Sequence, residues 1–81
     1  MLNMAKKAPT PDEVKARLGE ILTAIKEGGE INPLYAVDTI VEHVGCSRSS
    51  VYNWWNGPQA PLRGLCLPVW KALDVLDKKY L

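Results

Sequence analysis

A chain of 81 residues has room for one domain and not for two, and at this size folding buries only about 60–65% of the unfolded surface, so stability is modest. Apolar residues make up 47% of it and charged residues 23%, the balance of a globular domain and not of a disordered segment. Ten basic against nine acidic side chains leave a net charge of +1, so composition alone does not point to nucleic acid; any such case rests on where the charges lie.

Residues 1–9, MLNMAKKAP, show no periodicity and read as a flexible N-terminal arm carrying Lys6 and Lys7; residues 10–81 form the domain. The arm lacks the apolar centre of a secretory leader. No apolar run approaches the ~20 residues that a bilayer span requires, so a cytoplasmic protein with reduced thiols and no membrane partner is expected. TPDE at 10–13 is a strong helix start: Thr10 as N-cap, Pro11 in the first turn, and Glu13 reaching back in a capping box. Asp12 and Glu13 also suit the positive end of a helix. Val14, Leu18, Ile21, Leu22 and Ile25 then fall in one helical stripe, and Gly28-Gly29 ends it.

INPLYAVDTIVEHVG opens a second helix, with Asn32 as cap and Pro33 in the first turn. Leu34, Val37, Ile40, Val41 and Val44 carry its apolar face. After Gly45 and Cys46, Ser47 caps a third helix that runs to Asn56 before Gly57 stops it. So short a link makes the two helices cross steeply, the arrangement of a helix-turn-helix unit. The rest of the chain becomes helical near Pro61. Leu62, Leu65, Cys66, Val69, Leu73, Leu76 and Tyr80 share a face that packs on the core, while Leu67, Trp70 and Leu81 lie on a second face. Pro68 predicts either a kink or two helices, 61–67 and 68–79. With no Phe and no alternating Val or Ile pattern, the fold expected is all-α, a compact bundle of four or five helices.

The third helix has two distinct sides. Stepping about 100° per residue from Ser47, Val51 and Trp54 point one way with Ser47 and Ser50. Arg48, Ser49, Tyr52, Asn53 and Asn56 point the other way, and Trp55 falls on the boundary. Such a polar fan is ordinarily a solvated face. Here it holds no acid, although the chain has nine, and a tight turn projects its helix outward. Arginine pairs bidentately with guanine O6 and N7, asparagine with adenine N6 and N7, and a helix fits the major groove.

No cofactor or metal site is evident: Cys46, Cys66 and the single His43 have no zinc-type spacing, and the cysteines read as small buried apolar side chains. No catalytic set is present, and an enzyme is not expected. Nor is there evidence of a small-molecule ligand.

The stretch VDTIVEHVGCSRSSVYNWWNGPQAP, about a third of the chain, resembles the helix-turn-helix of the phage Cro and repressor family, whose fold is lambda repressor-like. Ile40 and Val44 match the apolar positions of the first motif helix, Gly45 the turn glycine, Cys46 the small residue after it, and Ser47 the frequent cap. Val51 and Trp54 match the buried pair of the recognition helix, and Asn56-Gly57 with Pro61 matches the exit from it. The resemblance implies that Arg48, Ser49, Tyr52 and Asn53 read bases, with the helix holding Val37 starting near the phosphates. It also implies a bacterial or phage transcriptional regulator, commonly a repressor, that binds double-stranded DNA as a dimer.

This chain departs from the pattern at Val41, where the family has alanine, and at Val37, where it often has a polar residue. Asp38 and Glu42 on the first motif helix would repel phosphate, and Trp55 either wedges against the DNA backbone or packs on a loop, the favoured role. Ser47, Asn56, Lys6, Lys7 and Arg63 are the expected backbone contacts. Leu67, Trp70 and Leu81 form the expected homodimer surface, unless Trp70 simply covers the first helix. Two other functions remain open: a helical protein-interaction module, such as an antitoxin or a phage modulator of a host factor, and a recombination accessory factor.

Overall fold

The computed structural model describes residues 8–81. Lys6 and Lys7 lie outside the described residues. Within them the chain forms four helices and no strand: α1 (Pro11–Gly28), α2 (Pro33–Val44), α3 (Arg48–Asn56) and α4 (Arg63–Tyr80). No described helix is long and apolar enough to cross a membrane.

Local chemistry sets the helix ends. The Glu13 amide donates to Thr10 Oγ1 at 3.2 Å and the Thr10 amide to Glu13 Oε1 at 2.8 Å, completing the capping box. Asn32 Oδ1 accepts from the Leu34 amide at 2.9 Å, so Pro33, which has no N–H, sits where none is needed. Gly29 and Gly45 close α1 and α2 in the left-handed region, at φ 71° and 79°. Nothing lies within 4 Å of a Cβ placed on Gly45, so its conformation and not crowding demands glycine. Gly45→Ala is expected to cost about 1 kcal/mol and to lower the melting temperature by roughly 4–8 °C, read by circular dichroism.

The stripe predicted for α1 is the centre of the core. Val14, Leu18, Ile21, Leu22 and Ile25 are all buried, against Ala36, Val37 and Ile40 of α2, Val51 and Trp54 of α3, and Cys66, Val69, Ala72, Leu73 and Leu76 of α4. Helix α1 packs on each of the other three, and α2 also packs on α4. Helix α3 lies close to α1 and α2 only. No buried polar side chain interrupts this core among the described residues. Val37 is completely buried, so this position of α2 offers nothing to a phosphate and serves packing alone.

Helix α4 differs from expectation. It starts at Arg63, two residues past Pro61, and continues through Pro68 as one helix to Tyr80, so the break into 61–67 and 68–79 does not occur and the described residues form four helices, not five. A proline in a helix removes one N–H and frees the carbonyl four residues earlier. That carbonyl belongs to Gly64, which is exposed, so the lost bond falls on the solvent side. Leu62, expected on the core face, precedes the helix as its cap residue and is 74% exposed. Pro61 is buried in its place, and Ala72 joins the core face of α4.

Candidate nucleic-acid interface

Helix α3 is short and is fixed at both ends. Ser47 Oγ accepts from the Ser50 amide at 3.2 Å and lies 3.1 Å from Ser50 Oγ, which caps the N-terminus. At the other end Lys15 of α1 donates from Nζ to the carbonyls of Trp54, at 2.8 Å, and Gly57, at 2.6 Å. An ammonium there satisfies acceptors that the helix leaves open and complements its negative end. Val51 and Trp54 anchor the inner side. At Gly57 a Cβ would meet the Asn53 carbonyl oxygen at 2.9 Å, so the chain leaves α3 too closely for a side chain. Lys15→Met, which keeps the stem and removes the donor, is expected to cost about 1–2 kcal/mol, seen as a lower urea midpoint and as faster amide exchange at the end of α3.

The outer side of α3 matches the helical arithmetic. Arg48, Ser49, Tyr52, Asn53 and Asn56 are all exposed. Trp55 is half-buried and donates from Nε1 to Thr23 Oγ1 of α1 at 3.1 Å; it packs on a helix, not on a loop. Tyr52 stacks on it, with ring centroids 6.1 Å apart and planes 17° from parallel. Trp55 thus links Tyr52 to α1, and Tyr52 stays 38% exposed.

Arg48 is exposed but not isolated. Its Nε donates to Asp38 Oδ1 at 2.7 Å and its Nη2 to Asp38 Oδ2 at 3.0 Å, a two-pronged pair between α2 and α3. The hydrogen bond and the charge of Asp38 raise the Arg48 pKa above its ordinary value, so the guanidinium stays cationic. The face of α3 itself carries no acid, yet an acid from α2 reaches its first residue. Sequence spacing along one helix had no means of showing this. Tyr35, in the first turn of α2 and 66% exposed, was also overlooked. At about 100° per residue it lies within about 60° of Asp38, on the side of α2 that faces solvent.

Comparisons with protein-family models, with curated proteins and with solved structures return no match. The functional reading therefore rests on the residues themselves.

Of the remaining expected contacts, Ser47 and Asn56 are exposed at the two ends of α3, and Arg63 is exposed at the start of α4. The α4 set is divided. Leu67 is 45% and Leu81 61% exposed, but Trp70 is half-buried beneath Arg17 of α1, whose guanidinium carbon lies 4.4 Å from the ring centroid. Arg17 also donates to Asp74 Oδ1 at 2.7 Å and to the Trp70 carbonyl at 3.4 Å. Helical spacing puts Lys71, Asp74 and Lys78 between Leu67 and Leu81 on that side, so the two leucines are separated by charged residues.

Burial lifts both thiols above their ordinary range. They are neutral at pH 7, and only alkaline solution, where the unfolded chain would ionise first, lets them weaken the fold. No cluster of three or more His, Cys, Asp or Glu able to hold a metal ion occurs among the described residues.

Proposed function

We propose that this chain is a sequence-specific DNA-binding regulator that lays the outer face of α3 in the major groove, with α2 and α3 acting as a helix-turn-helix. The observation that carries the reading is the construction of α3. It is capped by Ser47, clamped at its far end by Lys15, anchored by Val51 and Trp54 and packed on α1 and α2 only. A rigid helix so presented offers Arg48, Ser49, Tyr52 and Asn53 together. Arginine and asparagine are the side chains that pair bidentately with purines, and Tyr52 supplies an aromatic edge for a thymine methyl.

Ser47, Asn56 and Arg63 serve as phosphate contacts in this account, and Lys6 and Lys7 extend them. Two copies on an inverted repeat, with recognition helices about 34 Å apart, would supply the affinity that one nearly neutral module lacks. Leu67, Trp70 and Leu81 remain the proposed contact between copies, although Trp70 is half-buried beneath Arg17. Occupancy of an operator is then the regulatory act.

One observation favours a second reading. Asp38 neutralises Arg48 and the Tyr52–Trp55 pair is an aromatic surface, which also suits a protein partner. Selection of bound duplexes from a random pool at moderate salt separates the two. DNA recognition predicts an enriched inverted repeat and an affinity that falls steeply with salt, because bound phosphates release counterions. A protein-binding module enriches nothing.

A further inference from the structure

We infer that Asp38 is a positioning residue that orients Arg48 to read guanine, and this inference rests on the DNA-reading role proposed above. A guanidinium is a planar fork of five N–H donors. Asp38 takes the Nε–H and one hydrogen of Nη2 through its two oxygens, at 2.7 and 3.0 Å. That is the side edge of the fork. Both hydrogens of Nη1 and the second hydrogen of Nη2 are left; one from each nitrogen forms the end edge, which points away from the residue's own backbone. Guanine presents O6 and N7 as two adjacent acceptors in the major groove, and adenine presents one acceptor beside a donor. An end edge held in place fits the first and clashes in polarity with the second.

The placement of the pair supports this role. Arg48 is the first residue of α3, and the N-terminal residues of a groove-bound helix are those that reach base edges. The Asp38 side chain is 33% exposed and that of Arg48 57%, so the acid sits nearer the protein and the arginine farther out. A long flexible side chain loses rotamer freedom when it engages a base. Prior fixation by Asp38 moves that loss into folding and leaves more of the contact energy for discrimination. The carboxylate also cancels the charge of Arg48. The residue therefore adds little to sequence-independent phosphate attraction, which widens the gap between specific and non-specific binding.

Removing a positioning Asp38 has two effects of opposite sign, which removing a group that only repels phosphate or only supports the fold does not. A random duplex pool is carried through selection with wild type, Asp38→Ala and Arg48→Ala in parallel, and binding of each protein to a fixed mixed-sequence duplex is titrated beside it. Wild type is expected to require guanine at one position of each half-site, and Arg48→Ala to lose that requirement. Asp38→Ala is expected to bind the mixed-sequence duplex more tightly while its guanine preference at that position falls roughly two- to tenfold. The other positions should be unchanged, and so should the melting temperature apart from a small shift. If Asp38→Ala keeps or sharpens the guanine preference, Asp38 only repels phosphate and the positioning role is overturned, although DNA reading stands. If wild type itself enriches no sequence, the DNA-reading role fails and the inference fails with it.

Discussion

Truncating Leu18 to alanine is expected to leave the protein on the edge of unfolding at room temperature. Leu18 is completely buried at the centre of the α1 stripe, on one of the two helices that pack against all three others. Leucine-to-alanine changes in cores cost about 2.7–5 kcal/mol, because the lost transfer energy is joined by that of the cavity left behind. At about 0.05–0.15 kcal/mol per residue, a domain of this length holds roughly 4–12 kcal/mol in all, so one side chain carries a large share. The melting temperature should fall by roughly 10–30 °C, measured by circular dichroism. Glu20→Ala, exposed on the same helix, should stay within about 0.5 kcal/mol of wild type. Equal effects of the two would mean that α1 is not the centre of the core.

The second large effect is on recognition. Arg48→Ala combined with Asn53→Ala should weaken binding to the selected duplex by roughly 25-fold or more and leave the fold intact. A bidentate side chain-to-base contact is worth roughly five- to 150-fold in discrimination. The two residues stand more than a turn apart along α3, so their losses should nearly multiply. Both are exposed, and alanine is the stronger helix former, so melting should change little. Fluorescence anisotropy with the selected duplex and with a scrambled one checks both halves of the expectation. A loss confined to the selected duplex supports base reading; equal loss on both would reduce Arg48 and Asn53 to backbone contacts.

How far the sequence could be read follows the range of the forces involved. The caps at Thr10, Asn32 and Ser47 and the stops at Gly29, Gly45 and Gly57 depend on neighbours within four residues, and all were legible. So was the division of α3 into inner and outer sides, since a helix repeats its geometry wherever it lies. Leu62 was misread because helical spacing was extended past the true start of α4. Pro68 points to a kink or a break because its local cost is certain, while the exposure of Gly64, whose carbonyl loses its partner, is a tertiary fact. Three contacts were invisible for the same reason: Asp38 with Arg48, Lys15 with the end of α3, and Arg17 over Trp70. Each joins residues from different helices, and their meeting depends on crossing angles that no single periodicity encodes. The Arg17 guanidinium itself covers the Trp70 ring, a cation–π contact between α1 and α4.

Amide chemical-shift mapping reads out whether the outer face of α3 meets DNA. A mixed-sequence duplex of about 20 base pairs, long enough for two turns of the groove, would be titrated at low salt into isotopically labelled protein. The largest shifts are expected on Ser47 to Asn53, with smaller ones at Asn56 and Arg63 and, where two copies meet on the duplex, at Leu67, Trp70 and Leu81. Shifts confined to Leu67, Trp70 and Leu81 with none on α3, or no shifts at all, would contradict this placement of α3.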